Sequence, residues 1–211
     1  MDLTLYGDAS WQSPWVFHVM VALEELGLKY KLETKKLPLS VDERMRIQDA
    51  AILGKVPCLA HGDFWLTESA AITEYLSEQF SPPTYPRILP AAPRDRARAR
   101  QVMSWLRTSL FALREDRPTT SVFQRPINKP LSDKARADGV ELVRVAEQLI
   151  APGKTSLFDE WSIADADLAL ALMRLIASSD TSLNQRLIDY ALAQWGRRSV
   201  RKYLAYIPTT H

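Results

Sequence analysis

Between Phe80 and Pro93 the chain carries five prolines, Pro82, Pro83, Pro86, Pro90 and Pro93. Proline has no amide hydrogen and a fixed φ, so neither a helix interior nor an inner strand can run through this stretch. It reads as a semi-rigid connector, and it separates two kinds of periodicity. Before it, short alternating apolar runs are interleaved with helical spacing; after it, only the helical period appears. The expected organisation is a mixed domain over 1–80, a proline-rich linker over 81–93 and an all-helical domain over 94–211. A chain of 211 residues, 46% hydrophobic and 25% charged, has enough apolar material for two cores.

In the first part, Leu3-Thr4-Leu5-Tyr6 alternates as a strand does, and Gly7 to Gln12 reads as a loop. Ser13-Pro14 then opens a helix, with serine as N-cap and proline at the first helical position. Val16, Val19, Met20, Leu23 and Leu26 follow at helical spacing, and Gly27 supplies the stop. Tyr30 to Lys35 suggests a second strand, and strand–helix–strand implies a right-handed parallel crossover. Ser40-Val41-Asp42-Glu43 fits a capping box for a short helix to about Ala51. Val56 to Ala60 and Phe64 to Leu66, around the turn His61-Gly62-Asp63, predict a β-hairpin. Thr67 is the expected N-cap of the next helix, which places Glu68 and Ser69 in its first turn ahead of Ile72, Tyr75 and Leu76. The order βαβ–α–ββα is that of a thioredoxin-like α/β domain.

The second part reads as helix throughout. Arg94 to about Glu115 predicts one long amphipathic helix, with Ala99, Val102, Met103, Leu106, Leu110 and Leu113 on one face. Pro118, Pro126 and Pro130 make the next stretch a loop, and Ser132 or Asp133 starts a helix through Val140, Val143, Ala146, Leu149 and Ile150, ended by Pro152-Gly153. Ser162-Ile163-Ala164-Asp165 is a second capping box, and it launches Ala166 to Ile176, apolar on nearly every side and therefore central. Helices at about 184–194 and 197–206 complete the pattern.

A helix N-terminus offers unpaired amides and partial positive charge, which suit a carboxylate. Glu68 beside it adds an acceptor for an ammonium group and Ser69 a hydroxyl, so this corner can hold the α-amino acid end of a ligand. An ordinary capped helix begins the same way. Pro57 cannot donate a ladder bond; if its peptide bond is cis, Val56 would turn its free N–H and C=O sideways, where a peptide-like ligand could pair with them.

Lys55-Val56-Pro57, the hairpin and Glu68-Ser69-Ala70-Ala71-Ile72 together resemble the glutathione-binding half of the glutathione S-transferases. The mixed domain, proline-rich connector and box-capped buried helix resemble that family along the whole chain. The resemblance implies that Val56 pairs with the cysteinyl part of glutathione and that Glu68 and Ser69 hold its γ-glutamyl end. Lys55 corresponds to a basic residue some members use near the glycine carboxylate. It also implies a folding role for Ser162 and Asp165, a homodimer, and Ser13 as the catalytic residue of a Ser-type, theta- or zeta-like bacterial member. Ser13 would donate its hydrogen to the glutathione sulfur; its other reading is a plain N-cap, with Tyr6 and Ser10 as nearby substitutes.

The electrophile is expected between the domains, with Trp11 and Trp15 as aromatic walls and Arg107, Phe111 and Arg114 spaced i, i+4 and i+7 along the long helix. Those arginines fit an anionic or oxygen-rich substrate or a peroxide; their plainer reading is a solvated basic face. The expected reactions are conjugation of glutathione to small electrophiles or reduction of organic peroxides. Alternatives are a maleyl-type glutathione-dependent isomerase, whose Ser-Ser-Cys run is absent, and a non-enzymatic partner-binding protein. Glutathione enters as co-substrate. No metal is expected, because His18, His61 and His211 are isolated, and Cys58 reads as a buried small hydrophobe. A net charge of +2 and arginines 94, 96, 98 and 100 without aromatic interleaving give no case for nucleic acid. The opening MDLTLYGDAS has no secretory pattern and no apolar run approaches a membrane span, so a cytoplasmic location is expected.

Overall fold

The computed structural model describes residues 2–180 and 183–208, so His211 lies outside the described residues. It divides into two compact units, Met1–Ile88 and Leu89–His211. No helix or strand forms from Phe80 to Ala92. Pro93 takes the first helical position of the next element, where its missing amide costs nothing.

The first unit runs β1 (Leu3–Asp8), α1 (Pro14–Glu25), β2 (Lys31–Lys35), α2 (Val41–Ala51), β3 (Cys58–His61), β4 (Phe64–Thr67) and α3 (Ser69–Gln79). The four strands form one mixed sheet in the order β2-β1-β3-β4. β1 is parallel to β2 and antiparallel to β3, and β3 is antiparallel to β4. Side-chain alternation divides the sheet into two faces. Tyr6, Cys58 and Ala60 pack with Ile47 and Ala51 of α2. Leu5 and Leu59 point the other way, toward the buried sides of α1 and α3. There Phe17, Met20, Leu23, Ile72 and Leu76 are fully enclosed, each contributing ~1.5–3 kcal/mol by burial. His18 joins the two helices, its Nε2 lying 2.7 Å from Thr73 Oγ1, which is the structural role expected of a lone core histidine. Gly7 permits the close approach of β1 and α1, since a Cβ there would come within 2.8 Å of Val16 Cγ1.

One helix start differs from expectation. Thr67 is the last residue of β4, and the N-cap of α3 is Glu68, at φ 67° and ψ 109°. The chain reverses at Glu68, so Thr67 stays in the ladder opposite Cys58 and cannot cap.

The second unit comprises α4 (Pro93–Thr108), α5 (Phe111–Asp116), α6 (Thr120–Phe123), α7 (Asp133–Leu149), α8 (Ile163–Ile176), α9 (Gln185–Trp195) and α10 (Arg198–Leu204). The single long helix expected over 94–115 is interrupted: Ser109 is extended and Leu110 is left-handed at φ 57°. Tertiary packing overrides the helical period here. Leu110 turns into the core, and Asp138 of α7 accepts the Leu113 amide at 3.0 Å, satisfying a donor at the new N-terminus. The four-residue α6 inside the proline-bounded loop was not foreseen, and Val140, expected on the apolar face of α7, is exposed.

α8 is buried from Ile163 to Leu175, as its composition requires. Asp165 secures its start, accepting from Ser162 N (2.8 Å), Leu157 N (2.7 Å) and Tyr190 Oη (2.8 Å). At the other end Arg117 clasps Asp180 through Nε (2.7 Å) and Nη2 (2.9 Å), and Arg174 donates to the Arg117 carbonyl. Among the described residues no helix is long and apolar enough to cross a membrane.

Candidate functional site

Sheet register decides which loops of the first unit meet. β1 ends at Asp8 and leads into the loop before α1. Because β1 and β3 are antiparallel with Tyr6 opposite Cys58, the start of β3 lies at that same end. Cys58 is in turn opposite Thr67, the last residue of β4. Three separated stretches therefore gather at one pole of the sheet: residues 8–13, residues 55–57 and residues 67–69.

In the first stretch Ser13 is the N-cap of α1, and its Oγ accepts the Val16 amide at 3.3 Å. Accepting uses a lone pair; the hydroxyl hydrogen is a separate donor. Trp11, left-handed at φ 56°, is buried, and Trp15 is half-buried in the first turn of α1. Asp8 was not anticipated from sequence. It is 1% exposed, and its Oδ2 accepts from Gln12 N (2.7 Å), Ser13 N (3.3 Å) and Ser10 Oγ (3.0 Å). The available signal was its spacing: an aspartate closing a strand a few residues before a helix is placed to bind loop amides.

In the second stretch the Val56–Pro57 peptide bond is cis, which the residues alone left open. Val56 precedes the ladder, and among the described residues no hydrogen bond engages its main chain. In the third, Ser69 is buried as the first residue of α3, and no side chain caps that helix. A helix start carries partial positive charge, which suits an anion. Glu68 is exposed and held in a backbone region that L-residues rarely occupy. Lys55 Nζ lies 3.7 Å from Glu68 Oε1, an exposed pair that links the second and third stretches and contributes little to stability.

Tyr6 and Ser10, the nearby hydroxyl-bearing residues, are both engaged. Tyr6 is buried, its ring stacked 5.0 Å from Trp65, and burial raises its phenol. Ser10 is exposed and already donates to Asp8. Cys58 is completely enclosed and its thiol is pushed up to about 12 by burial. His61 Nδ1 sits 2.6 Å from Tyr75 Oη. Among the described residues no group of three histidine, cysteine or carboxylate side chains is placed to hold a metal.

In the helical unit, Arg107, Phe111 and Arg114 do not share one helix, because the break at Ser109-Leu110 puts Arg107 on α4 and the other two on α5. They nevertheless stay together. Arg114 Nη1 donates to the Arg107 carbonyl (2.9 Å), and its guanidinium lies 5.4 Å from the exposed Phe111 ring. Arg107 is anchored to Asp167 of α8 at 2.6 Å, so the solvated basic face expected from spacing is a partly buried, ion-paired one. Burial lowers the affinity of Arg114 for its proton.

The family model for the glutathione S-transferase N-terminal domain matches residues 12–79, and that for the C-terminal domain matches residues 93–208. The chain belongs to the glutathione S-transferase family. Among relatives of this chain, glutathione S-transferase T1 of Arabidopsis thaliana is 28% identical over 179 residues, covering 78% of this chain and 70% of that protein. Glutathione S-transferase U13 of the same plant is 33% identical over 103 residues, 49% of this chain, and the match spans less than half (44%) of U13. A crystal structure of a glutathione transferase homolog from Burkholderia GL BGR1, with bound glutathione, is 32% identical, covers 97% of each chain and superposes with a TM-score of 0.77. The tau class transferase of mango, Mangifera indica, shares the fold at 22% identity, with a TM-score of 0.74 and coverage of 96% of this chain and 92% of that one.

Proposed function

We propose that this transferase binds glutathione on its mixed domain, residues 1–80, and uses Ser13 to hold the sulfur as thiolate. Val56 pairs with the cysteinyl main chain, Glu68 and Ser69 take the γ-glutamyl end, and Lys55 lies toward the glycine carboxylate. The observation that carries the reading is the register of β1, β3 and β4, which gathers Ser13, Val56 and the start of α3 at one pole of one sheet. The bound glutathione of the Burkholderia homolog supports it.

A free thiol of this kind has a pKa of about 8.5, and lowering it by two units takes about 2.7 kcal/mol of preferential anion stabilisation. A hydrogen bond to an anion supplies ~1.5–3 kcal/mol and a helix N-terminus ~0.3–1. Ser13, a hydroxyl at the start of α1, offers both. The thiolate then forms a carbon–sulfur bond as the electrophile's leaving group departs or its double bond takes up the electron pair. With an organic peroxide, two glutathione thiols become one disulfide while the peroxide is reduced to alcohol and water. Trp11, Trp15, Arg107, Phe111 and Arg114 contribute to electrophile recognition, the last three from the helical domain over 94–211, with 81–93 as linker. A cytoplasmic homodimer acting in detoxification completes the reading.

Ultraviolet titration of the bound thiolate tests it. Intact protein should titrate about two units below free glutathione, and Ser13→Ala should abolish most of that difference and lower kcat ~10²-fold. An unchanged thiol pKa in Ser13→Ala removes Ser13 from the chemistry.

A further inference from the structure

We propose that Asp8 is the positioning residue for Ser13, its buried carboxylate pinning the main chain at residues 12 and 13 so that the hydroxyl is aimed at the sulfur. This rests on the reading of Ser13 given above and adds a residue that does not itself touch glutathione.

Asp8 stands where β1 ends, and the chain must climb from there through a left-handed Trp11 into the N-cap of α1. A single carboxylate oxygen, Oδ2, collects the amides of Gln12 and Ser13 and the hydroxyl of Ser10. Hydrogen bonds to a charged acceptor are about twice as strong as neutral ones, so this oxygen organises the whole loop. The other oxygen, Oδ1, is buried and has no hydrogen-bond partner among the described residues. Leaving half of a carboxylate unsatisfied is unfavourable for folding. An asparagine could accept the same amides without burying a charge. The acceptor stiffens the segment that carries Ser13, and a hydroxyl misaimed by an ångström loses most of its advantage. The same negative charge opposes formation of a thiolate nearby, so geometry and field act with opposite signs and can be separated by substitution.

The test compares intact protein, Asp8→Ala, Asp8→Asn, Ser13→Ala and the Asp8→Ala/Ser13→Ala double variant. Each is read by titration of bound glutathione and by the separate values of kcat and KM. Asp8→Ala should raise the bound thiol pKa by about one unit and lower kcat ~10-fold, with KM for glutathione moving less than ~3-fold. Asp8→Asn, which keeps the acceptor, should restore kcat to within ~3-fold and titrate at or below the intact protein. In the Ser13→Ala background, Asp8→Ala should raise the thiol pKa no further, because only the opposing effect of the lost negative charge remains. The proposal is overturned if Ser13→Ala moves the thiol pKa and Asp8→Ala does not, or if Asp8→Ala costs as much with Ser13 absent as with it present. If Ser13→Ala alone changes nothing, the Ser13 reading fails, and the role of Asp8 falls with it. Should Asp8→Ala not fold, Asp8→Ser, too short to reach both amides, is read in its place.

Discussion

Cys58 shows how much one buried residue can say. It lies in the ladder between Tyr6 and Thr67 with no exposed surface, and burial pushes its thiol from an ordinary 9.0 up to about 12. Below pH 9 the thiol is neutral whether the protein is folded or not, and its contribution to stability is fully present. Between pH 9 and 12 the unfolded chain releases the proton while the folded one keeps it, so stability falls by up to about 1.4 kcal/mol per pH unit. Urea midpoints followed from pH 8 to 10.5 should drop more steeply for the intact protein than for Cys58→Ala. Parallel curves would contradict the assigned burial. The enclosed character of Cys58 and the core role of His18 were both legible in sequence, because each stands alone among apolar neighbours. Asp8 was not, since its spacing before the helix marks a residue placed to bind loop amides but does not show that it is buried and binds three donors.

At the scale of the element, capping chemistry was the most readable signal. Ser13, Ser40 and Ser132 begin α1, α2 and α7 as their spacing predicts. The failures lie where distant contacts override the local pattern. Leu110 adopts a left-handed backbone with no glycine or asparagine to announce it, stabilised by a core position and by Asp138 far along the chain. Thr67 looks like a cap but is held in β4. The start of α8 offers the sharpest test of an element. Asp165→Ala leaves the buried Ser162 amide and Tyr190 hydroxyl and the half-buried Leu157 amide without their acceptor. At ~1–3 kcal/mol for each orphaned group, the loss should be at least about 3 kcal/mol. Chemical denaturation of the variant measures it, and a loss below 1 kcal/mol would mean that the helix start relaxes to find other partners.

For the molecule as a whole, the order of strands and helices and the change of texture at the prolines could be read residue by residue. The pairing register could not, yet it is the register that assembles the candidate site from three distant segments. A ligand seated on main-chain and side-chain groups of all three should bind the native state and not the unfolded chain. Glutathione at a hundredfold over its Kd should therefore add about 2.7 kcal/mol to the stability of the unit it binds. Thermal melts with and without it provide the check, and the shift should survive in Ser13→Ala, because Val56, Glu68 and Ser69 remain. Absence of any shift at millimolar glutathione would argue against binding at that pole. The hairpin turn at Gly62-Asp63 lies at the opposite extremity of the same sheet, exposed, with open space around Gly62 where a side chain would begin. That bend is tied to the chain start through the Gly62 amide and the Asp2 carbonyl (3.0 Å), so changes made there fall a full strand length from the pole where the three stretches meet.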